Sequence, residues 1–301
     1  MKNIIFSGAC TALITPFCSG RIDYENFAKI IENQIESGID ALLFCGTTGE
    51  CATLSDIEKR DIFTFAANKI QKRVKMIAGT GSNDTKKAGE LSKFAGDIGA
   101  DAVLVVTPYY NKTSQEGLLK HYFTIADGID IPLIVYNVPT RTGIDIKPDT
   151  YKKLSEHENI VGIKESKNNI SDIAMTVKNC PGMCLYSGND DMTYPLLALG
   201  ARGVISVMSN IFPYEISEMC RKYIYAEDEN DKNKVLEIFL KTFDLSRELF
   251  CDVNPIPVKT LMAYEGMCRE EFRLPLVNIS EKNRKKLIEC YNLTAEKLKK
   301  I

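Results

Sequence analysis

The chain has 301 residues, 45% hydrophobic and 26% charged, with a net charge of −2 from 38 basic and 40 acidic side chains. That balance fits a globular protein with a sizeable core and excludes a bulk field that would recruit nucleic acid or an anionic membrane surface. No apolar run approaches the roughly 18 residues of a membrane span.

The first residues, Met1-Lys2 followed by Ile4-Ile5-Phe6, weakly imitate a secretion signal but read better as the approach to a strand at 10–15, ended by Pro16. A helix is expected at 24–37, where Phe27, Ile30, Ile31 and Ile35 recur at helical spacing. A strand at 41–45 follows. The next helix, 55–71, opens with the capping box Ser55-Asp56-Ile57-Glu58, and Ile57, Phe63, Ala67 and Ile70 are expected to share its buried side. Further strands are predicted at 75–78, 102–106, 132–136, 160–163, 183–187 and 204–207. These runs are rich in Val, Ile and Leu without polar alternation, as in a parallel sheet covered on both faces. Gly38, Gly99 and Gly200 each close a helix ahead of a strand.

Eight such repeats predict an α/β fold, a (β/α)₈ TIM barrel, with an open doubly wound sheet as the alternative. The barrel is expected to span 1–226. Residues 227–234 (EDENDKNK) suit a linker or a helix start, and helical patterns follow at 235–250, 255–267 and 281–300. Residues 227–301 are therefore expected to form a helical region packed on the barrel.

The two histidines, His121 and His157, lie in helix-like polar stretches, which leaves no histidine-rich zinc site. The ten cysteines are scattered without a Cys-x-x-Cys pair, so zinc-ribbon and thioredoxin readings fail and reduced thiols are expected.

In a barrel, functional groups sit where the strands end. There the sequence offers Gly46-Thr47-Thr48-Gly49-Glu50, Tyr109-Tyr110, Tyr136-Asn137, Arg141, Lys164 and Gly188-Asn189-Asp190-Asp191. Lys164 follows an apolar run; burial disfavours an ammonium, and a neutral amine attacks a ketone to form a Schiff base. A lysine that snorkels to solvent or pairs with a carboxylate is the other reading. The two hydroxyls between glycines suit a small carboxylate, although a plain βα turn has the same composition. Tyr110, Tyr136 and Thr48 could relay a proton without histidine, or the tyrosines could cap the core. Arg141 could clamp a carboxylate or be a surface charge. Asp190 and Asp191 read as caps of the following helix rather than metal ligands.

Four segments in fixed order resemble the pyruvate-dependent class I aldolases: Gly46-Thr47-Thr48-Gly49-Glu50, Tyr136-Asn137-Val138-Pro139, Gly162-Ile163-Lys164-Glu165 and Gly203-Val204-Ile205-Ser206. The resemblance runs from Ala12-Leu13-Ile14-Thr15-Pro16 to Asn254-Pro255-Ile256-Pro257-Val258-Lys259 and Arg273-Leu274-Pro275. It implies that Lys164 forms the Schiff base with pyruvate and that Tyr136 shuttles protons with Thr48 and Tyr110. It also implies that Thr47 and Thr48 hold the pyruvate carboxylate, that Arg141 binds L-aspartate 4-semialdehyde, and that Gly188 and the Ile205 carbonyl line the site. Tyr110 is expected from a neighbouring subunit of a homo-oligomer, a dimer or a tetramer built as a dimer of dimers. No metal or organic cofactor is implied. The implied reaction belongs to the diaminopimelate route to lysine, in the cytoplasm.

An N-acetylneuraminate lyase, a 2-keto-3-deoxy-sugar-acid aldolase and a non-catalytic keto-acid sensor are the alternatives. Thr47 and the run Pro139-Thr140-Arg141-Thr142-Gly143 favour the reaction with L-aspartate 4-semialdehyde over these. In lysine-inhibited relatives, an effector pocket uses the positions matching 51–59 and 83–87, with Tyr109. Asn83 and Tyr109 match here, but Lys87 stands where sensitive enzymes carry glutamate, and Asp56 and Lys59 stand where histidine is frequent. A lysine facing the effector's ammonium predicts weak or absent inhibition by L-lysine.

Overall fold

The computed structural model describes residues 4–226 and 228–299. The readings that fall on Met1-Lys2, Glu227 and Lys300 lie outside the described residues.

Eight parallel strands close into a barrel: β1 (Gly8–Ala12), β2 (Ala41–Phe44), β3 (Lys75–Gly79), β4 (Ala102–Val106), β5 (Leu133–Asn137), β6 (Ile160–Glu165), β7 (Cys184–Ser187) and β8 (Gly203–Ser206). Each strand pairs with its sequence neighbours, and β1 pairs with both β2 and β8, which excludes the open sheet. The helices between and after them are α1 (Tyr24–Glu36), α2 (Asp56–Ile70), α3 (Thr85–Asp97), α4 (Gln115–Asp127), α5 (Pro148–Leu154), α6 (Ile170–Asn179), α7 (Thr193–Ala198) and α8 (Pro213–Ile224). The fold is a TIM barrel with a C-terminal helical extension: α9 (Glu229–Glu248), α10 (Ile256–Tyr264) and α11 (Glu281–Leu298). The extension packs through α9 on α8 and through α11 on α9 and α10.

Two apolar layers hold this together. Cys10, Leu43, Ile77, Leu104, Ile134, Tyr136 and Ile205 fill the barrel interior. A larger layer joins the outer strand faces to the helices, with Leu42, Val103, Val135 and Ile163 meeting Phe27, Phe63, Tyr122 and Tyr151. Ahead of β1, Phe6 stacks on Tyr186 at 4.3 Å, and the Tyr186 hydroxyl donates to the Phe6 carbonyl. Gly38, Gly99 and Gly200 adopt φ of +77°, +93° and +92°, the left-handed conformation that ends a helix without a Cβ clash.

Several elements differ from the sequence expectation. β1 ends at Ala12: Leu13 N–H still donates to the Leu43 carbonyl of β2, but Ile14 N–H turns to Asn210 Oδ1, and Thr15 Oγ1 donates to the Gly49 carbonyl at 2.7 Å. A small hairpin, Phe17–Cys18 with Arg21–Ile22, follows. The capping box of α2 is present, but Ile57 is 72% exposed; the buried side is Ile62, Phe63, Ala66 and Ile70. Ile57 stands five residues before Ile62, about 140° round the helix from it. The charged stretch after 228 begins α9, with Asp228 capping Asp231 N–H. No helix among the described residues is long and apolar enough to cross a membrane.

Candidate active site

The C-terminal strand ends open into a cavity of about 760 Å³. Its wall includes Thr47, Thr48, Tyr136, Arg141, Lys164 and Gly188, so closure of the barrel brings together residues that lie up to 141 positions apart in the chain (Thr47 to Gly188).

The turn after β2 is tight. Gly49 N–H donates to the Gly46 carbonyl and Glu50 N–H to the Thr47 carbonyl, while Cys45 and Glu50 adopt left-handed φ of 53° and 55°. A Cβ on Gly49 would meet the Leu13 carbonyl at 3.2 Å, so a side chain there would press on the backbone after β1. Thr48 is 2% exposed, and its Oγ1 accepts from Asn254 Nδ2 at 3.0 Å. Glu50 is buried and accepts from Lys259 Nζ at 2.6 Å.

Lys164 is part of β6 and pairs in register with Tyr136 of β5. Both are buried, at 6% and 7% exposure, and Lys164 Nζ stands 4.2 Å from the Tyr136 ring centroid. An amine facing an aromatic ring in a shielded cavity is poised to meet a small carbonyl compound. On the opposite face of β6, Glu165 accepts from Asn137 Nδ2 and from the Tyr151 hydroxyl. Burial pushes its carboxyl up to about 7, against the pull of Lys167 and these donors. Glu165 thus pins β5 and β6 from outside while Lys164 faces inward.

Gly188 lets the chain pass close to β6, since a Cβ there would lie 2.0 Å from Ser166 Oγ. Asp190 does not cap its own helix. Buried, it accepts from Ser206 Oγ, Val207 N–H and Met208 N–H, and so caps the turn after β8. Asp191 lines the cavity half-buried, where burial raises its pKa. Ile205 points into the barrel core, and Val207 is the residue beyond β8 that reaches the cavity wall.

Arg141 lies in a short helical turn, Pro139–Thr142, at the cavity rim, and its Nη2 donates to the Asn254 carbonyl at 3.4 Å. Tyr110 stands apart: it is 92% exposed, has φ of 70°, and does not line the cavity. Sequence reasoning missed the wall supplied by the extension, which includes Arg247, Phe250, Asp252 and Asn254. The motif beginning at Asn254 was visible, but nothing local tied it to the loop after β2. Among the described residues, no group of three or more His, Cys, Asp or Glu is placed to hold a metal ion, and the ten cysteines form no disulfide.

The model of the Dihydrodipicolinate synthetase family matches residues 5–292. The chain belongs to the dihydrodipicolinate synthetase family. A 4-hydroxy-tetrahydrodipicolinate synthase of Acetivibrio thermocellus is 48% identical over 284 residues, covering 94% of this chain and 95% of that one. The structure of the synthase from Methylacidiphilum fumariolicum SolV superposes with a TM-score of 0.95 at 41% identity, covering 98% of each chain. A dihydrodipicolinate synthase from Acinetobacter baumannii, solved in complex with pyruvate, superposes with a TM-score of 0.92 at 40% identity, over 96% of this chain and 99% of that one. Membership in the dihydrodipicolinate synthetase family makes the chain an enzyme of the lyase class and bears out the resemblance read from its motifs. The sialic acid lyase, sugar-acid aldolase and sensor alternatives gain no support from these relatives.

Proposed function

We propose that the enzyme condenses pyruvate with L-aspartate 4-semialdehyde to 4-hydroxy-tetrahydrodipicolinate, in the diaminopimelate route to lysine. The observation that carries this is the buried Lys164 amine over the Tyr136 ring, beside the hydroxyl loop of Thr47 and Thr48. Lys164 attacks the keto carbon of pyruvate, water leaves, and the iminium acidifies the methyl group. Loss of a methyl proton gives an enamine, whose carbon attacks the aldehyde. The substrate's amino group then displaces Lys164 as the ring closes.

Thr47 and Thr48 hold the pyruvate carboxylate, and Tyr136 moves protons through Thr48. Arg141 binds the carboxylate of the second substrate, while Gly188 and the Ile205 carbonyl complete the wall. Tyr110 completes the relay from a neighbouring subunit of a dimer or a tetramer. The iminium on Lys164 is the electron sink, so the chemistry calls for no metal or organic cofactor. Residues 1–226 supply the reacting groups, residues 227–301 roof them, and the enzyme works in the cytoplasm.

Steady-state turnover of the two substrates tests the reaction. Borohydride with pyruvate alone tests its first step: the reduced adduct is expected on the peptide containing Lys164. Adduct on another lysine overturns the assignment, and a chain that turns over neither substrate overturns the function.

A further inference from the structure

Among the described residues, the mechanism leaves one fully buried cation unused. Lys259, on α10, has a side chain at 0% exposure, and its partner Glu50 is at 1%. Lys259 Nζ is 2.6 Å from Glu50 Oε1 and lies 4.2 Å and 5.2 Å from the ring centroids of Phe17 and Phe272. The other Glu50 oxygen accepts from the Arg273 backbone N–H at 3.2 Å. Burying such a pair costs desolvation that its mutual attraction offsets only in part, and well-packed apolar residues often serve stability as well. An ion pair kept here is therefore better explained by what it positions.

What it positions is the turn that carries Thr47 and Thr48. Glu50 ends that turn in a left-handed conformation, which a non-glycine residue holds only when its surroundings fix it. Its side chain is fixed by Lys259 and by Arg273 N–H. Two more contacts act at the same place: Thr15 Oγ1 on the Gly49 carbonyl and Asn254 Nδ2 on Thr48 Oγ1. The turn is thus held from the segment after β1 on one side and from the C-terminal extension on the other.

We propose that Lys259 is a positioning residue for the pyruvate half of the reaction: through Glu50 it fixes the turn whose hydroxyls and amides take the substrate carboxylate. This rests on the assignment of Thr47 and Thr48 to that carboxylate. Displacing those donors by a fraction of an ångström weakens pyruvate binding, while Arg141 stays on its own turn, Pro139–Thr142, and on the Asn254 carbonyl.

The test measures half-saturation by pyruvate in borohydride trapping on the full-length enzyme, beside KM for each substrate and the unfolding midpoint. Lys259→Met strands the Glu50 carboxylate and is expected to raise pyruvate half-saturation at least 10-fold, with KM for the semialdehyde within threefold. Because that variant loses stability, the double variant Lys259→Met/Glu50→Gln is measured as well. It removes the stranded charge, so the unfolding midpoint is expected to recover while pyruvate half-saturation stays at least fivefold raised. Recovery of pyruvate binding together with the midpoint would show a purely structural pair and overturn the proposal. So would a folded Lys259→Met with unchanged half-saturation. A wild-type enzyme that traps no pyruvate on Lys164 would instead count against the reaction assigned above, which keeps the two failures apart.

Discussion

The turns after β2 and β4 each carry a hydroxyl assigned to one proton relay, yet the chain treats them in opposite ways. Thr48 is 2% exposed and is held by Asn254 from the C-terminal extension. Tyr110 is 92% exposed, and φ is positive both there and at Lys112. Its turn is anchored by Asn111 Nδ2 donating to the Asn83 carbonyl, with no cover over the phenol itself. A left-handed non-glycine residue costs on the order of 1 kcal/mol. In the first turn, contacts within the chain offset that cost. In the second, the phenol has no cover within the chain, which is the observation behind the proposal that Tyr110 serves a neighbouring subunit's site. A proton relay works only where bulk water is kept away, so a phenol this exposed has no place in one until something covers it.

The sharpest way to break the comparison is to separate the two turns between subunits. Tyr110→Phe is expected to lower kcat about 100-fold, within the range for loss of a general acid or base. Co-expressed with the inactive Lys164→Ala chain, it should regain activity, because a hybrid contains one site with both groups intact. An absence of recovery in isolated hybrids would place Tyr110 outside the neighbour's site.

Arg141 belongs to the self-built side, through its contact with the Asn254 carbonyl. Arg141→Ala should raise KM for the semialdehyde 10- to 100-fold, which corresponds to about 1.5–3 kcal/mol for a charged hydrogen bond. KM for pyruvate should stay within threefold. Equal effects on both substrates would mean that Arg141 shapes the whole cavity.

Behind the exposed turn, His121 on α4 is 5% exposed and shares a hydrogen bond with Thr85 Oγ1 at 2.9 Å. Burial pulls its pKa down to about 4. The unfolded chain therefore takes up a proton near pH 6.5 that the folded chain refuses, and stability falls as pH drops from 6.5 towards 4. The loss from this group is on the order of 3 kcal/mol at the acid end. Glu165, raised to about 7, contributes with the opposite sign over the same window, so the comparison of variants isolates the histidine: in urea unfolding between pH 7 and 4.5 the wild type should lose stability relative to His121→Gln.

The smallest effect is expected with L-lysine. Lys87 is exposed in the first turn of α3, and Lys59 lies 3.9 Å from Asp56. Millimolar L-lysine should change the rate less than twofold, and Lys87→Glu should increase the response. Strong inhibition of the wild-type enzyme at submillimolar effector would show that the charge at position 87 does not govern binding.

The sequence by itself determined the repeating elements and much of the site's membership. Strands at 102–106 and helices capped by Ser55 or ended by Gly38 depend on neighbours a few positions away, so their signals are local. The lysine of β6 was legible for the same reason, as a charge at the end of an apolar run. Local patterns also misled: Ile57 is apolar but lies off the buried stripe of α2 and faces solvent, and Asp190 caps the turn after β8 instead of its own helix. Only the tertiary structure decided what holds the turn after β2. Asn254 reaches Thr48 across 206 positions and Lys259 reaches Glu50 across 209. No periodicity or capping rule acts over that distance; barrel closure and docking of the extension make those residues neighbours, and burial then forces their charged and polar groups to find each other.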